Sequence, residues 1–208
     1  ISDITISAGA TTGTASFTPT DDTTYEGNET GIVAISSVSG GSATEDGTQS
    51  VTITISENES APTVTLTSSA SSIAENAGSS LTLTATLSVA TTADVTVGIS
   101  TSGTGTEGTD YSTISDITIS AGATTGTASF TPSDDSVYEG NETGIVAIST
   151  VSGGSATEDG TQSVTITINE NESSPTVTLA TSASSIAENA GSSLTLTATS
   201  SIVADEDI

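Results

Sequence analysis

Val, Ile and Leu alternate with Thr and Ser over short stretches of the chain, as in LTLTATL from Leu81 and SVTITI from Ser163. A period of 2 sends successive side chains to opposite faces of a strand, so each stretch has one apolar face to bury and one hydroxyl face to leave in water. Seven such stretches fall between Pro62 and Ser173: Thr63–Thr67, Ser80–Ser88, Asp94–Ser100, Asp116–Ser120, Thr125–Thr131, Gly144–Val151 and Gln162–Asn169. Gly and Asp turns separate them. Strands of this number and spacing predict an all-β fold, a seven-stranded immunoglobulin-like antiparallel sandwich. Phe130 and Tyr138, with Phe17 and Tyr25 earlier in the chain, are the large side chains expected to fill cores, and Tyr111 is expected to anchor a loop.

The pattern repeats. ISDITISAGATTGTASFTP at Ile1 recurs at Ile114, an offset of 113 residues, and roughly 78 of the first 86 residues match their partners. A period near 100 residues suits an independently folding sandwich rather than a solenoid coil. Each copy closes on acidic residues followed by a proline, at Glu57 to Pro62 and at Glu170 to Pro175. Cutting there gives three expected parts: 1–61, the C-terminal half of a repeat; 62–173, a complete repeat; and 174–208, the N-terminal part of a further one. The last part leaves the pattern near Ser200, where SSIVADEDI replaces LSVATTADV. The chain has no Met, and the expected reading is a window of a longer array.

Composition then narrows the chemistry. The 208 residues carry 26 Asp and Glu and no Lys, Arg, His or Cys, for a formal charge of -26. Without basic residues the chain cannot neutralise phosphates, which argues against nucleic acid and direct membrane binding. Without His or Cys there is no imidazole base, thiol nucleophile, zinc site or iron–sulfur cluster. Carboxylate, hydroxyl and amide oxygens remain, the ligands that hard cations prefer, calcium above all.

The carboxylates gather where strands end. Within 62–173 the clustered ones are Glu75, Glu107, Asp110, Asp134, Asp135, Glu139, Glu142, Glu158, Asp159, Glu170 and Glu172, with Asp94 and Asp116 apart from them. Alternate loops of such a sandwich lie at one end, so the loops after the third and fifth strands, the close of the seventh and the segment before the second are expected to converge. Carboxylates brought together repel unless a cation lies among them. The competing reading is that they are solvated turn formers.

These residues also form a recognisable set. IAENAGSSLTLTATLS, SGTGTEGTDY, ITISAGATTGTASFTPSDD, YEGNET and VTITINENE, in this order, resemble the Calx-beta domain, a family with members in sodium/calcium exchangers and in tandem arrays on bacterial surface proteins. The resemblance implies a calcium cluster at one end of the sandwich. By motif it assigns Glu75 to the first acidic turn and Asp110 to the Gly-x-Asp-Tyr turn. Asp134, Asp135, Glu139 and Glu142 match the acidic loop after the fifth strand, and Glu170 and Glu172 the closing acidic run. Exchanger-type domains have consecutive aspartates in that closing run, where this chain reads Glu170, Asn171, Glu172. Repetition extends the candidates to Asp21, Asp22, Glu26, Glu29, Glu57 and Glu59 in the first part and Glu188 in the last. Glu107, Asp94, Asp116, Glu158 and Asp159 match no motif and are expected on the solvated surface. The Asn-x-Ser/Thr sites at Asn28, Asn58, Asn141 and Asn171 are expected to be chance products of composition.

The expected function is a structural, calcium-binding repeat of a bacterial extracellular filament or adhesin stalk, stiffened by calcium at the acidic loops and domain junctions. Its partners are calcium ions and, in a filament, other copies of itself. One alternative is a filament subunit whose tail half-repeat complements the head half-repeat of the next copy by strand addition. Another is an ice or surface binder built on Thr-x-Thr runs. Catalysis is not expected, because Asp134 and Asp135 are neighbours on one loop and there are no aromatic platforms for a substrate.

Overall fold

The computed structural model describes all of residues 1–208 and contains only strands. In chain order they are β1 (Thr24–Tyr25), β2 (Glu29–Ala34), β3 (Ser50–Ile55), β4 (Thr63–Ser68), β5 (Ser72–Ala74), β6 (Leu81–Leu87), β7 (Ala90–Thr91), β8 (Val95–Gly103), β9 (Ile117–Ile119), β10 (Thr125–Phe130), β11 (Val137–Tyr138), β12 (Glu142–Ser152), β13 (Thr157–Glu158), β14 (Ser163–Asn169), β15 (Val177–Thr181), β16 (Leu196–Ser200) and β17 (Val203–Ala204).

Between β4 and β14 the chain closes into the immunoglobulin-like sandwich. One sheet has the order β10-β6-β4-β13 and the other β5-β14-β12-β8-β9. The seven alternating stretches are β4, β6, β8, β9, β10, β12 and β14. Their apolar faces meet in one core of 18 residues, with Val64, Leu83, Val95, Ile117, Phe130 and Ile166 fully buried. Tyr111 stacks on Phe130 with ring centroids 4.6 Å apart and belongs to this core, not merely to a loop. Gly144 backs the Phe130 ring, where an added Cβ would lie 2.7 Å from a ring carbon. Tyr138, expected in the core, is half-buried outside it and pairs as part of β11 with β17.

β5, β7, β11 and β13 escape the alternation rule because their two or three residues lie in no alternating stretch. β5 matters most. It runs parallel to the end of β14, with Ile73 opposite Ile168, and the Glu75 N–H then donates to the Asn169 carbonyl at 3.0 Å. That pairing carries Glu75 to the place where β14 ends in Glu170.

On either side of the sandwich the same sequences behave differently. β2 pairs with β3, and β15 with β16, as two-stranded sheets with one apolar face open. Leu179 is 72% exposed and Leu196 67%, whereas their counterparts Leu66 and Leu83 are 4% and 0% exposed. Residues 1–19 form no strand, although the identical 114–132 contain β9 and β10. The second copy has β8 and β6 to pair with, and the first has no such neighbour.

Candidate metal centre

At one end of the sandwich the exits of β5 and β14 meet the loops that follow β8, β10 and β11. Three groups of carboxylates form there, each with ligand oxygens within 4.8 Å of one another: Glu75, Glu170 and Glu172; Glu75, Asp135 and Glu139; and Asp110, Glu139 and Glu142. Glu75 belongs to two groups and Glu139 to two, so the seven residues form one continuous chain of acids. Two unit charges at that separation repel by about 3.5 kcal/mol at an effective dielectric of about 20. No Lys, Arg or His exists to relieve them.

Hydrogen bonds fix the frame. Glu170 accepts from the backbone N–H of Glu139 at 2.6 Å and of Gly140 at 2.8 Å on one oxygen, and from Asn171 and Glu172 at 2.9 Å each on the other. Burial pushes its carboxyl up, but these donors win and hold it well below the usual carboxylate range. Asn141 Oδ1 accepts the Glu170 N–H at 3.0 Å. Asp110 accepts from the Thr106 N–H at 2.6 Å, and Asp135 from the Val137 N–H at 2.7 Å. Glu75, only 6% exposed, accepts one long bond from the Asp135 N–H at 3.3 Å.

Four other acids of the cluster, Glu75, Glu139, Glu142 and Glu172, resist ionisation. Burial, followed by the charges of Glu170, Glu172 and Asp135, pushes Glu75 to about 7. Glu142 also reaches about 7, through burial and then Asp110 and Glu139. Glu139 is raised by burial and by its acidic neighbours, and Glu172 mainly by its contact with the Glu170 carboxylate. Glu172 Oε2 is buried with no hydrogen-bond partner. Oxygen-only donors, acids that ionise reluctantly and one orphaned buried carboxylate oxygen fit a calcium-like cation, which takes six to eight oxygens.

Of the residues assigned by motif in 62–173, Asp134 alone joins none of the three groups; it is exposed and acts on Glu172 through its charge. Asp21, Asp22, Glu26, Glu29, Glu57 and Glu59 line a polar cleft of about 260 Å³ in the first part. There Glu57 copies Glu170: it accepts the N–H groups of Glu26 at 2.6 Å, Gly27 at 2.7 Å and Glu59 at 3.1 Å, and Glu26 first, then Glu59, with Gly27 behind them, hold it down at about 2. The counterparts of Glu75 and Asp110 fall outside 1–61, and no three-acid group forms. Glu188 is exposed and joins no group.

One position differs from expectation, and others make contacts that no motif marks. Glu107, expected to be solvated, accepts the Thr101 hydroxyl and the Ile114 N–H, both at 2.7 Å, and so pins the long connection between β8 and β9. Asp94 and Asp116 are exposed, as expected, and accept the Ala121 N–H at 2.8 Å and the Ile99 N–H at 3.0 Å. Asn141, read as a chance glycosylation site, holds the Glu170 backbone. Its copy Asn28 holds Glu57 in the same way at 2.9 Å, and the repetition of YEGNET was the signal available for both.

A family model described as Calx-beta domain matches residues 57–172. Similar solved structures include the apo-form Calx CBD1 domain, at 17% identity and a TM-score of 0.45, covering 53% of this chain and 99% of that one. CBD12 from CALX1.2 is similar at 18% identity and a TM-score of 0.42, covering 47% of this chain and 40% of that one. Among curated proteins none matches in sequence.

Proposed function

The chain belongs to the Calx-beta domain family, and from that premise we propose that it is a calcium-binding structural module of an extracellular tandem array. The observation that carries the reading is the continuous chain of seven carboxylates, from Glu172 through Glu75 and Glu139 to Asp110, on a molecule without one cationic side chain. Glu75, Asp135, Glu139, Glu142, Asp110, Glu170 and Glu172 are the residues that would hold calcium. A bound divalent ion would supply positive charge where the fold places only negative.

The chain's own part is to present the acids. β5 and β14 present Glu75 and Glu170 from the ends of adjacent strands of one sheet, and Glu170, kept ionised by four backbone N–H groups, ties the Glu139–Asn141 turn to the strand that leads into the next repeat. Neutralising the cluster therefore tightens the loops and the segment from Glu170 to Pro175 together. The 113-residue repetition supports tandem domains divided near Pro62 and Ser173, and millimolar extracellular calcium suits weak sites of this kind. Melting of the full chain in chelator and in millimolar calcium tests the reading. A rise in melting temperature with calcium supports it, and an unchanged temperature would remove calcium from the account.

A second reading rests on the open faces of β2–β3 and β15–β16, whose counterparts are covered inside the sandwich. Residues 174–208 of one copy would cover 1–61 of another, leaving unfilled only the place of β8 and the loop after it. Concentration-dependent assembly in analytical ultracentrifugation supports this reading. A single monomeric species at every concentration would end it.

A further inference from the structure

β11 and β17 pair in parallel, with Val137 opposite Val203 and Tyr138 opposite Ala204. Far from them, β1 and β7 pair in parallel, with Thr24 opposite Ala90 and Tyr25 opposite Thr91. Each partner in the first pairing lies 113 residues beyond its counterpart in the second, so one contact between a repeat and its successor is made twice in the chain. At the later joint the Ser174 hydroxyl meets the Tyr138 hydroxyl at 3.1 Å, and the Asp205 N–H donates to the Tyr138 carbonyl at 3.4 Å. These contacts account for an aromatic side chain that the core does not use.

The two joints differ in charge. The residue that follows the docked pair is Thr92 at the first and Asp205 at the second, within the stretch where VADEDI replaces ATTADV. The bond from the Asp205 N–H to the Tyr138 carbonyl holds Asp205 against the residue that precedes Glu139, a member of two of the acid groups, and so brings a further negative charge to that end of the cluster. A neutral hydroxyl at Thr92 brings no such repulsion.

We propose that the β11 edge of each repeat is a docking surface for the β7-type strand of the following repeat, and that the residue after the docked pair sets the strength of the joint. Thr92 leaves the first joint closed. Asp205 loads the second with like charge, so the chain carries one firm joint and one that opens at low ionic strength. The partner is the next repeat of the same chain, and this inference does not depend on calcium binding.

The chain has no cysteine, so engineered pairs report on each joint without interference. Opposed residues on adjacent strands lie about 4.8 Å apart, within the roughly 4.4–6.8 Å that a disulfide spans. One full-length variant carries Thr24→Cys with Ala90→Cys, and another Val137→Cys with Val203→Cys. Oxidation is timed in excess chelator, at low salt and at about 1 M NaCl, where charges are screened beyond about 3 Å, with each pair in denaturing urea as its own reference.

The first pair should close many times faster than in urea at either salt. The second should close severalfold more slowly than the first at low salt, and recover with salt or with Asp205→Thr. Either pair closing no faster than in urea at about 1 M NaCl would overturn the docking surface. Indifference of the second pair to both salt and Asp205→Thr would overturn the role of charge. Chelator is present throughout, so these outcomes stand apart from those of the calcium melting experiment.

Discussion

Replacing Glu75 by Gln separates the two things its carboxylate does. In the cation-free protein the side chain is 6% exposed and its carboxyl is pushed from 4.5 to about 7, first by burial and then by Glu170, Glu172 and Asp135. At about 1.36 kcal/mol per pH unit that shift sets a ceiling near 3.4 kcal/mol. Solvent reaches the rim of the site and screens it, so about 1–2 kcal/mol is the working figure. The sign follows from the raised value: the favourable contribution is complete below about pH 4.5 and is lost as pH rises through about 7. Glu75→Gln keeps the acceptor oxygen facing the Asp135 N–H and removes the charge. In chelator at pH 8 the variant should therefore melt higher than the natural chain, by roughly 4–8 °C for a domain of about 100 residues. The gap should close at about pH 4.5. In millimolar calcium the order should reverse, because two of the three acid groups have lost a member. Calorimetric melting of both full-length proteins at the two pH values, with and without calcium, reads all four cells. A variant that melts lower in chelator at pH 8 would refute the reasoning, since it would mean that the ionised carboxylate stabilises the fold without a cation.

Three further predictions concern other parts of the chain. In chelator the melting temperature should fall as pH rises from about 4.5 to 7.5, because Glu75 and Glu142 both have raised values, while the rise produced by calcium should grow over the same interval; a pH series of scans checks both trends. Gly144→Ala drives a Cβ into the Phe130 ring and should cost about 1–3 kcal/mol, visible as a lower midpoint in urea unfolding. Glu107→Ala strands the Ile114 N–H and the Thr101 hydroxyl and should cost about 1–3 kcal/mol with an unchanged response to calcium, which paired melts with and without the ion would measure.

The alternation of Val, Ile and Leu with Thr and Ser was enough to locate seven strands of the sandwich, because burial of one face is written in the period itself. Partnership is not written there. Residues 1–19 and 114–132 are identical, yet Ile4 and Ile6 are 58% and 59% exposed while Ile117 and Ile119 are completely buried. What differs is the presence of β6 and β8, strands far away in the sequence. The acids that converge were legible from their places at strand ends and from their likeness to a known family. Their order of contact was not, since it depends on β5, a three-residue parallel strand with no periodicity to reveal it. Glu107 was misread for a related reason: an acid that satisfies a distant backbone N–H looks like any other acid in a turn. Tyr138 was assigned to the core by size alone, whereas its position just after the acidic loop places it between repeats.

The claim that joins these observations is that the seven carboxylates make a cation site, and direct titration tests it most plainly. The full chain, freed of metal by chelator and dialysed, is titrated with calcium at pH 7.5 in an isothermal calorimeter, beside a variant combining Glu75→Gln and Glu139→Gln. The account predicts a saturable heat at submillimolar to millimolar calcium that the double variant loses or greatly weakens, because those two residues link the three groups. The absence of a saturable heat in the natural chain at millimolar calcium, or equal binding by the double variant, would contradict it.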